Sequence, residues 1–383
     1  MLAVSSPMAT DTKEAVCVQR KRYVALAGIL GIGMMLGACG NDNGGSSTAG
    51  SSNTSKASVK GKVGVILPDT KSSARWEAAD RPNLQKAFSD AGVEAIIDNA
   101  NGDKSRMQTI ADQMITQGVT VLAIVNLDSD TGSAIEQKAK KQGVATIDYD
   151  RLTLGGSADY YVSFDNTKVG QLQGEGLQKC LGADTKANIA YLDGSPTDNN
   201  ATLFAAGAHK VLDANKNYTK VAEQAVPDWD NQKAATIFEQ MYTQAKGKID
   251  GVLAANDGLG NAAIAILKKN STAGKVPVTG QDATVQGLQN ILDGTQCMTV
   301  YKSAKAEAGA LADLAIGLIK GEPGKTNGTV RDDKGGRDVP SILLDPVSIM
   351  KDSVKDVVSD GGVTKDELCT GSYAAKCTAA GIS

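Results

Sequence analysis

From Val59 onward the chain alternates short β-branched apolar runs with longer stretches whose apolar residues recur at helical spacing. The short runs predict strands over Lys62–Leu67, Glu94–Asp98, Val119–Asn126, Val144–Asp150, Ala187–Leu192, Val221–Val226, Gly251–Asn256, Val276–Gly280 and Met298–Tyr301. Most are too apolar to leave one face in water, which is how parallel strands covered on both sides read. Between them the spacing predicts helices such as Glu77–Ala91, Arg106–Gln117 and Ser133–Gln142, with Gly92, Gly118 and Gly143 placed where a left-handed cap closes a helix. Repeated βα units predict an α/β fold built on doubly wound parallel sheets. A further strand-like run, Tyr160–Asp165, falls where the first set of units ends, and a helix over Lys168–Leu181 opens a second set. Two lobes are expected, each with its own sheet, with the first crossing near Ser163–Asn166.

The region before Val59 has a different pattern. A basic cluster, Arg20-Lys21-Arg22, precedes an apolar run from Tyr23 to Leu36, which is shorter than the roughly 20 residues a bilayer crossing needs. Residues before Arg20 carry no such signal, and Met8 is an alternative start. The run ends in Leu36-Gly37-Ala38-Cys39, which resembles the lipobox of bacterial lipoproteins. The resemblance implies a signal peptide over 1–38, cleavage before Cys39 and a lipid on its sulfur. The polar, Gly/Ser-rich stretch that follows buries too little surface to order itself, so 39–58 is read as a tether between membrane and body.

Composition narrows the function. A net charge of −3 lacks the basic bias of a nucleic-acid binder, and no P-loop for ATP is present. The single histidine, His209, leaves little for zinc or for Ser-His-Asp chemistry and reads as a surface helix residue. Asp213–Tyr218 starts like a calcium loop but has Tyr218 where glycine is needed and Gln224 where glutamate is needed, so no metal or cofactor is expected. Apart from Cys17 and Cys39, four cysteines remain, an even number that suits disulfides outside the cell. Of three possible pairings, Cys369 with Cys377 is the most economical, leaving Cys180 with Cys297.

Polar residues collect at the carboxyl ends of the predicted strands, where ligands bind in doubly wound sheets. They include Arg75-Trp76, Asn126, Asp128, Asp150-Arg151, Asp198-Asn199-Asn200, Trp229, Asn256-Asp257, Gln281-Asp282 and Lys302. Carboxylates accept from hydroxyls, Arg and Lys donate to them, and Asn does both, a set suited to a monosaccharide. The two tryptophans lie one in each half, placed to pack on C–H faces of a sugar ring. Singly, each feature has a plainer explanation. A lone Trp often just packs, Asp198 and Asp257 can simply cap helices, as Asp103 and Asp230 are expected to, and Arg151 can be a surface ion pair. Their recurrence after strand upon strand in both halves carries the reading.

The segments DYDR (148–151), SFDN (163–166), GSPTDNNA (194–201), AND (255–257), GQDA (280–283), TVYK (299–302) and DVPS (338–341) resemble those of xylose-binding proteins of sugar ABC importers. That family has the periplasmic-binding-protein type I fold, two lobes joined by a hinge. The resemblance covers roughly Lys62 to Leu368, and the ordered set GSPTDNNA, GQDA and TVYK is its specific part. It implies an N-terminal lobe of 59–164 plus 302–338, a C-terminal lobe of 165–301 plus 339–368, and a tail of 369–383. It also implies that Trp76 and Trp229 sandwich a pyranose, with Arg75, Asp150 and Arg151 bonding its hydroxyls and Asn126 or Asp128 as further contacts. Asn199, Asn200, Asn256 and Asp282 would close from the second lobe, and Lys302 would reach in from a hinge strand. The Ser/Lys-rich loop Pro68–Ala74 and the Cys369/Cys377 extension depart from the family pattern.

These features imply a monomeric, lipid-anchored, extracytoplasmic sugar-binding protein that closes on a xylose-like aldose and delivers it to an ABC permease. Three alternatives stand beside it. A sensor would present the closed complex to a signalling receptor. A carbohydrate-active enzyme would use paired carboxylates such as Asp150 and Asp282. A transcription regulator is opposed by the lipobox and the lack of a helix-turn-helix.

Overall fold

The computed structural model describes residues 60–382; the expected signal segment, the expected lipidation at Cys39 and the expected tether lie outside these residues. Five successive strands, β1 (Lys62–Leu67), β2 (Glu94–Asn99), β3 (Val121–Ile124), β4 (Ala145–Tyr149) and β5 (Tyr160–Phe164), begin the larger sheet. The chain then builds a second sheet from β6 (Ala187–Asp193), β7 (Tyr218–Ala225) and β8 (Gly251–Ala254), followed by the short β9 (Thr299–Tyr301). It returns to the larger sheet with β10 (Gly328–Asp332) and β11 (Arg337–Leu344), and crosses back to pair β12 (Val347–Ile349) with β9. The larger sheet has the order β10-β11-β5-β4-β3-β1-β2, parallel except for the β10–β11 hairpin, and the smaller is β7-β6-β8, all parallel.

Each sheet is sandwiched between apolar layers. Val63, Val65 and Leu67 of β1 face Leu84, Phe88, Leu311 and Ala315, while Ile66 faces the other side with Met107, Ile110 and Met114. In the second lobe, Ala190 and Leu192 pack under Phe204, Phe238 and Leu259, and Ile189 and Tyr191 pack with Leu177 and Leu212 on the opposite face. Such two-sided burial is what the continuous apolar runs require. Gly92 closes the helix Arg81–Ala91 at φ 68°, in the left-handed conformation anticipated for it.

Several boundaries differ from expectation. Val276–Gly280 is no strand: it contributes only isolated bridges, Val278 to Val252 and Val276 to Ala273, because Pro277 has no N–H and the Thr279 hydroxyl takes over bonding to Ala254. Glu77–Ala91 begins instead with a π-helical turn, Trp76–Asp80. Pro82 cannot donate back along the helix, and Arg81 N–H reaches the Trp76 carbonyl. The lobe boundary at 338/339 falls inside β11, whose pairing with β5 carries the larger lobe on to Leu344. Pro340 argues against a central strand by sequence, yet here it sits beside the edge strand β10.

Cys180 is bonded to Cys297 and Cys369 to Cys377. The segment read as a tail is part of the second lobe's packing. Cys377 and Ile382 are buried with Leu288 and Ile291, and Tyr373 donates to Asp293 at 3.0 Å. Among the described residues, no helix is long and apolar enough to cross a membrane.

Candidate functional site

The loop after β1 folds on Asp69, whose Oδ1 accepts from the N–H groups of Lys71 (2.7 Å) and Ser72 (2.6 Å). This turn sets Ser72 and Ser73 at the cleft, and the π-helical turn places Arg75 and Trp76 side by side. Trp76 is buried, its Nε1 donating to Ser72 Oγ at 3.0 Å, and the Arg75 guanidinium lies 4.6 Å from the ring centre. Arg75 is held on three sides. Nε and Nη2 donate to the Asp80 carboxylate at 2.8 and 2.7 Å, Nη2 also meets Glu307, and Nη1 reaches Asp150 at 3.2 Å. Tyr149 OH donates to Asp80 at 2.6 Å from behind.

Asp150 follows β4 with φ 59°. A non-glycine residue in that conformation needs support, and its carbonyl accepts from Tyr161 OH (3.0 Å), Ser163 Oγ (2.8 Å) and Asn200 Nδ2 (2.9 Å). Its carboxylate receives Arg75, Lys302 Nζ (3.2 Å) and Asn200 Nδ2 (3.1 Å). Burial alone would raise the Asp150 carboxyl, but Lys302, Arg75 and Arg151 outweigh it and hold it below its ordinary value. Glu307, buried behind Arg75, goes the other way: burial pushes it up to about 8 despite the guanidinium.

The second lobe supplies the facing wall. Asp198 caps the helix Asn199–Leu212, and its Oδ2 accepts from Trp229 Nε1 (3.1 Å) and pairs with Arg151 Nε (2.9 Å) across the lobes. Burial raises the Asp198 carboxyl, with Arg151 opposing. The Trp229 ring lies directly on Gly194, where any Cβ would overlap it. Asn256 caps the helix Asp257–Lys269 through Leu259 N–H and donates across the cleft to the Ser72 carbonyl at 3.1 Å. Asp282, at φ 97°, accepts from Ser73 Oγ at 2.9 Å and from Gln281 Nε2 at 2.5 Å. Under this loop lies Asp257, fully buried, which accepts from Thr284 N–H (2.7 Å), Gln296 Nε2 (2.8 Å) and Thr299 Oγ1 (2.8 Å). It is not the cap the sequence allowed, a role taken by Asn256. Burial lifts its carboxyl to about 6.

These groups line a small polar cavity between the two lobes. Arg75, Trp76, Asp150, Arg151, Asp198, Asn200, Trp229, Asn256, Asp282 and Lys302 all line it. Arg151 is buried rather than on the surface. Asn126 stands behind the wall instead. It accepts from Arg151 Nη1 through its own carbonyl and donates to the Arg151 carbonyl (3.2 Å) and Thr153 Oγ1 (2.9 Å), orienting the loop. Asp128 is occupied as a helix cap for Thr131 N–H and as the partner of Lys104. Asn199 is the first residue of its helix and does not line the cavity. Asp103 and Asp230 cap helices as expected. His209 is on the helix Asn199–Leu212, stacked on Tyr191 and bonded to Asp213 and Glu223, outside the cavity lining.

Three lining residues escaped sequence reasoning: Ser72, Ser73 and Phe204. Phe204 is one helical turn beyond Asn200 and shares its face, a signal that was available. The serines lie in the loop singled out as departing from the family pattern. Three lining cations, Arg75, Arg151 and Lys302, are matched by three lining carboxylates, Asp150, Asp198 and Asp282, a balance that suits a neutral polar ligand over an anion. Among the described residues, no group of three or more His, Cys, Asp or Glu is placed to hold a metal ion.

Comparison with known proteins agrees with this architecture. The chain is 36% identical to the D-xylose-binding periplasmic protein of Escherichia coli, over 80% of this chain and 92% of that one. It is likewise 36% identical to the multiple sugar-binding periplasmic receptor ChvE of Rhizobium radiobacter, over 82% and 93%. An ABC transporter solute-binding protein from Clostridium phytofermentans, solved with bound β-D-glucose, superposes with a TM-score of 0.74 at 30% identity, covering 80% of this chain and 99% of its own. With residues 63–323 matching the periplasmic binding protein domain, two lobes joined by crossing strands and a polar cavity between them, the chain belongs to the periplasmic binding protein family, of type I fold, whose members bind and hand on ligands and are not enzymes.

Proposed function

We propose that this protein is the solute-binding lipoprotein of a monosaccharide ABC importer, taking D-xylose or a related aldose. The observation that carries the reading is the pair of indoles, Trp76 and Trp229, on opposite walls of a charge-balanced cavity rich in paired donors and acceptors. Each indole N–H is already bonded, to Ser72 and Asp198, so the ring faces are what remain for a sugar's C–H surfaces. Arg75, Arg151 and Lys302 donate to ring hydroxyls, Asp150 and Asp282 accept from them, and Asn200 and Asn256 do both. Because a sugar meets both walls only when the lobes are together, its binding shifts the open–closed equilibrium toward closure, and the closed surface addresses the permease. The leader pattern and Cys39 support export and anchoring to the membrane, with the protein acting as a monomer.

Titration of the purified protein with D-xylose, D-glucose, D-galactose and L-arabinose tests this. Tryptophan emission and melting temperature should both shift with at least one of them. If none changes either signal at millimolar concentration, the reading fails. Replacing Cys39 by Ser should release the protein from the membrane fraction, and retention there would refute the anchor.

A further inference from the structure

We propose that Gln281 is a specificity-determining contact of this site, its Oε1 accepting from one ligand hydroxyl so that sugars lacking that hydroxyl are rejected. The inference rests on the sugar-binding reading above. Gln281 is 3% exposed and lines the cavity. Its Nε2 donates to Asp282 Oδ1 at 2.5 Å, which fixes the amide's orientation, since the reverse would set two oxygens against each other. The backbone is held as well, with Asp257 N–H donating to the Gln281 carbonyl at 3.0 Å and Asp282 N–H to the Val300 carbonyl at 2.9 Å.

That leaves Oε1 buried with no hydrogen-bond partner among the described residues. The cavity's carboxylates differ in this respect. Asp150 receives Arg75, Lys302 and Asn200, Asp198 receives Arg151 and Trp229, and Asp282 receives Ser73 and Gln281 itself. Gln281 thus offers a neutral acceptor whose bond is still to be made. A hydroxyl that donates to it removes the cost of a buried unpaired oxygen, and a deoxy sugar leaves that cost in place. Sites built this way reject the analogue lacking the group far better than they reject one of altered bulk.

The test compares the wild-type protein with Gln281→Met and Gln281→Asn variants by calorimetric titration and sugar-free melting. The ligands are D-xylose, D-glucose and the monodeoxy derivatives of whichever binds more tightly. We expect one monodeoxy sugar to bind the wild type at least about tenfold more weakly than its parent, and that gap to shrink to about threefold or less in both variants. Gln281→Met should melt close to wild type without sugar, since the unpaired buried acceptor it removes offsets the loss of the Nε2 bond to Asp282, which keeps Ser73. Variants that preserve the wild-type ranking of deoxy sugars would overturn the proposal. So would an equal loss of affinity for all sugars together with a lowered melting point, the mark of a purely structural residue. Either variant suffices if the other does not fold. Failure of both D-xylose and D-glucose to bind the wild type would instead overturn the sugar reading itself.

Discussion

Single side chains in the cavity are useful because each is held before a ligand arrives. Trp229 is fixed by Asp198 at its N–H and by Gly194 beneath its ring, so truncation removes an ordered stacking surface. Trp229→Ala should weaken sugar binding by about 2 kcal/mol, roughly thirtyfold, with little change in the ranking of sugars. Calorimetry would check it, and an unchanged affinity would remove Trp229 from the site. Glu307 yields a pH prediction. Its carboxyl, lifted by burial from 4.5 to about 8, keeps its proton in the folded state where the unfolded chain has already lost it. Its contribution to stability is therefore fully present below the unfolded value, falls as pH rises through this window, and levels off above about 8. Asp257, lifted to about 6, adds to the lower part of the fall. Glu307→Gln, whose amide mimics the protonated acid, should flatten the melting-temperature decline between pH 6 and 8. A slope equal to that of the wild type would contradict the assignment.

At the scale of elements, the loop Gln281–Ala283 is strained, with positive φ at both Asp282 and Ala283, as at Asp228 and Trp229 on the same lobe. Asp257 over-determines it by accepting from the Thr284 backbone and from the Gln296 and Thr299 side chains. Asp257→Asn puts a donor where one of these donors points. It should cost about 1–3 kcal/mol and accelerate amide exchange in 281–284. Unchanged exchange there would show that the loop holds itself. The disulfides should also differ in weight. Cys180–Cys297 closes a loop with a sequence separation of 117, whereas Cys369–Cys377 spans 8, so losing the first should lower stability more. Serine double variants compared by urea denaturation would decide it. Elements also mark how far the sequence could be read. Most of strands β1 to β8 announce themselves because burial demands an apolar run, the exception being the edge strand β7, which is largely exposed and begins before its expected start at Val221. β10 and β11 do not, since RDVPSILL contains a proline and its partner GTVRD is largely exposed. The site was legible where a residue both ends a strand and faces the cleft, as Asp150 and Lys302 do. Asp128 ends a strand too, but its carboxylate is spent on Thr131 and Lys104, a three-dimensional fact with no local signature.

For the whole molecule, closure is stitched by bonds that cross the cleft: Ser73 to Asp282, Asn256 to Ser72, Arg151 to Asp198 and Asn200 to Asp150. Thr197 Oγ1 adds one at the rim, donating to the Leu127 carbonyl at 3.3 Å, outside the cavity lining. Thr197→Val should reduce the closed population and so weaken every sugar by the same factor, about two- to fivefold, without altering preference. A change confined to one sugar would mean that Thr197 touches ligand.

The three crossings between lobes also set an order of assembly. Until β11 is made, β5 is the open edge of the larger sheet, for its neighbour on that side comes much later in the chain, Tyr161 pairing with Ser341, 180 positions on. The larger lobe is thus begun first and its sheet is completed only after most of the smaller lobe has been synthesised, the smaller lobe being closed last by β12 and the C-terminal segment. A chain stalled before Arg337 would carry an unpaired, apolar strand edge, the kind that joins other chains. Losing the last eighth of this protein would therefore harm its first-made half, and truncated products should aggregate through the lobe that looks complete in sequence.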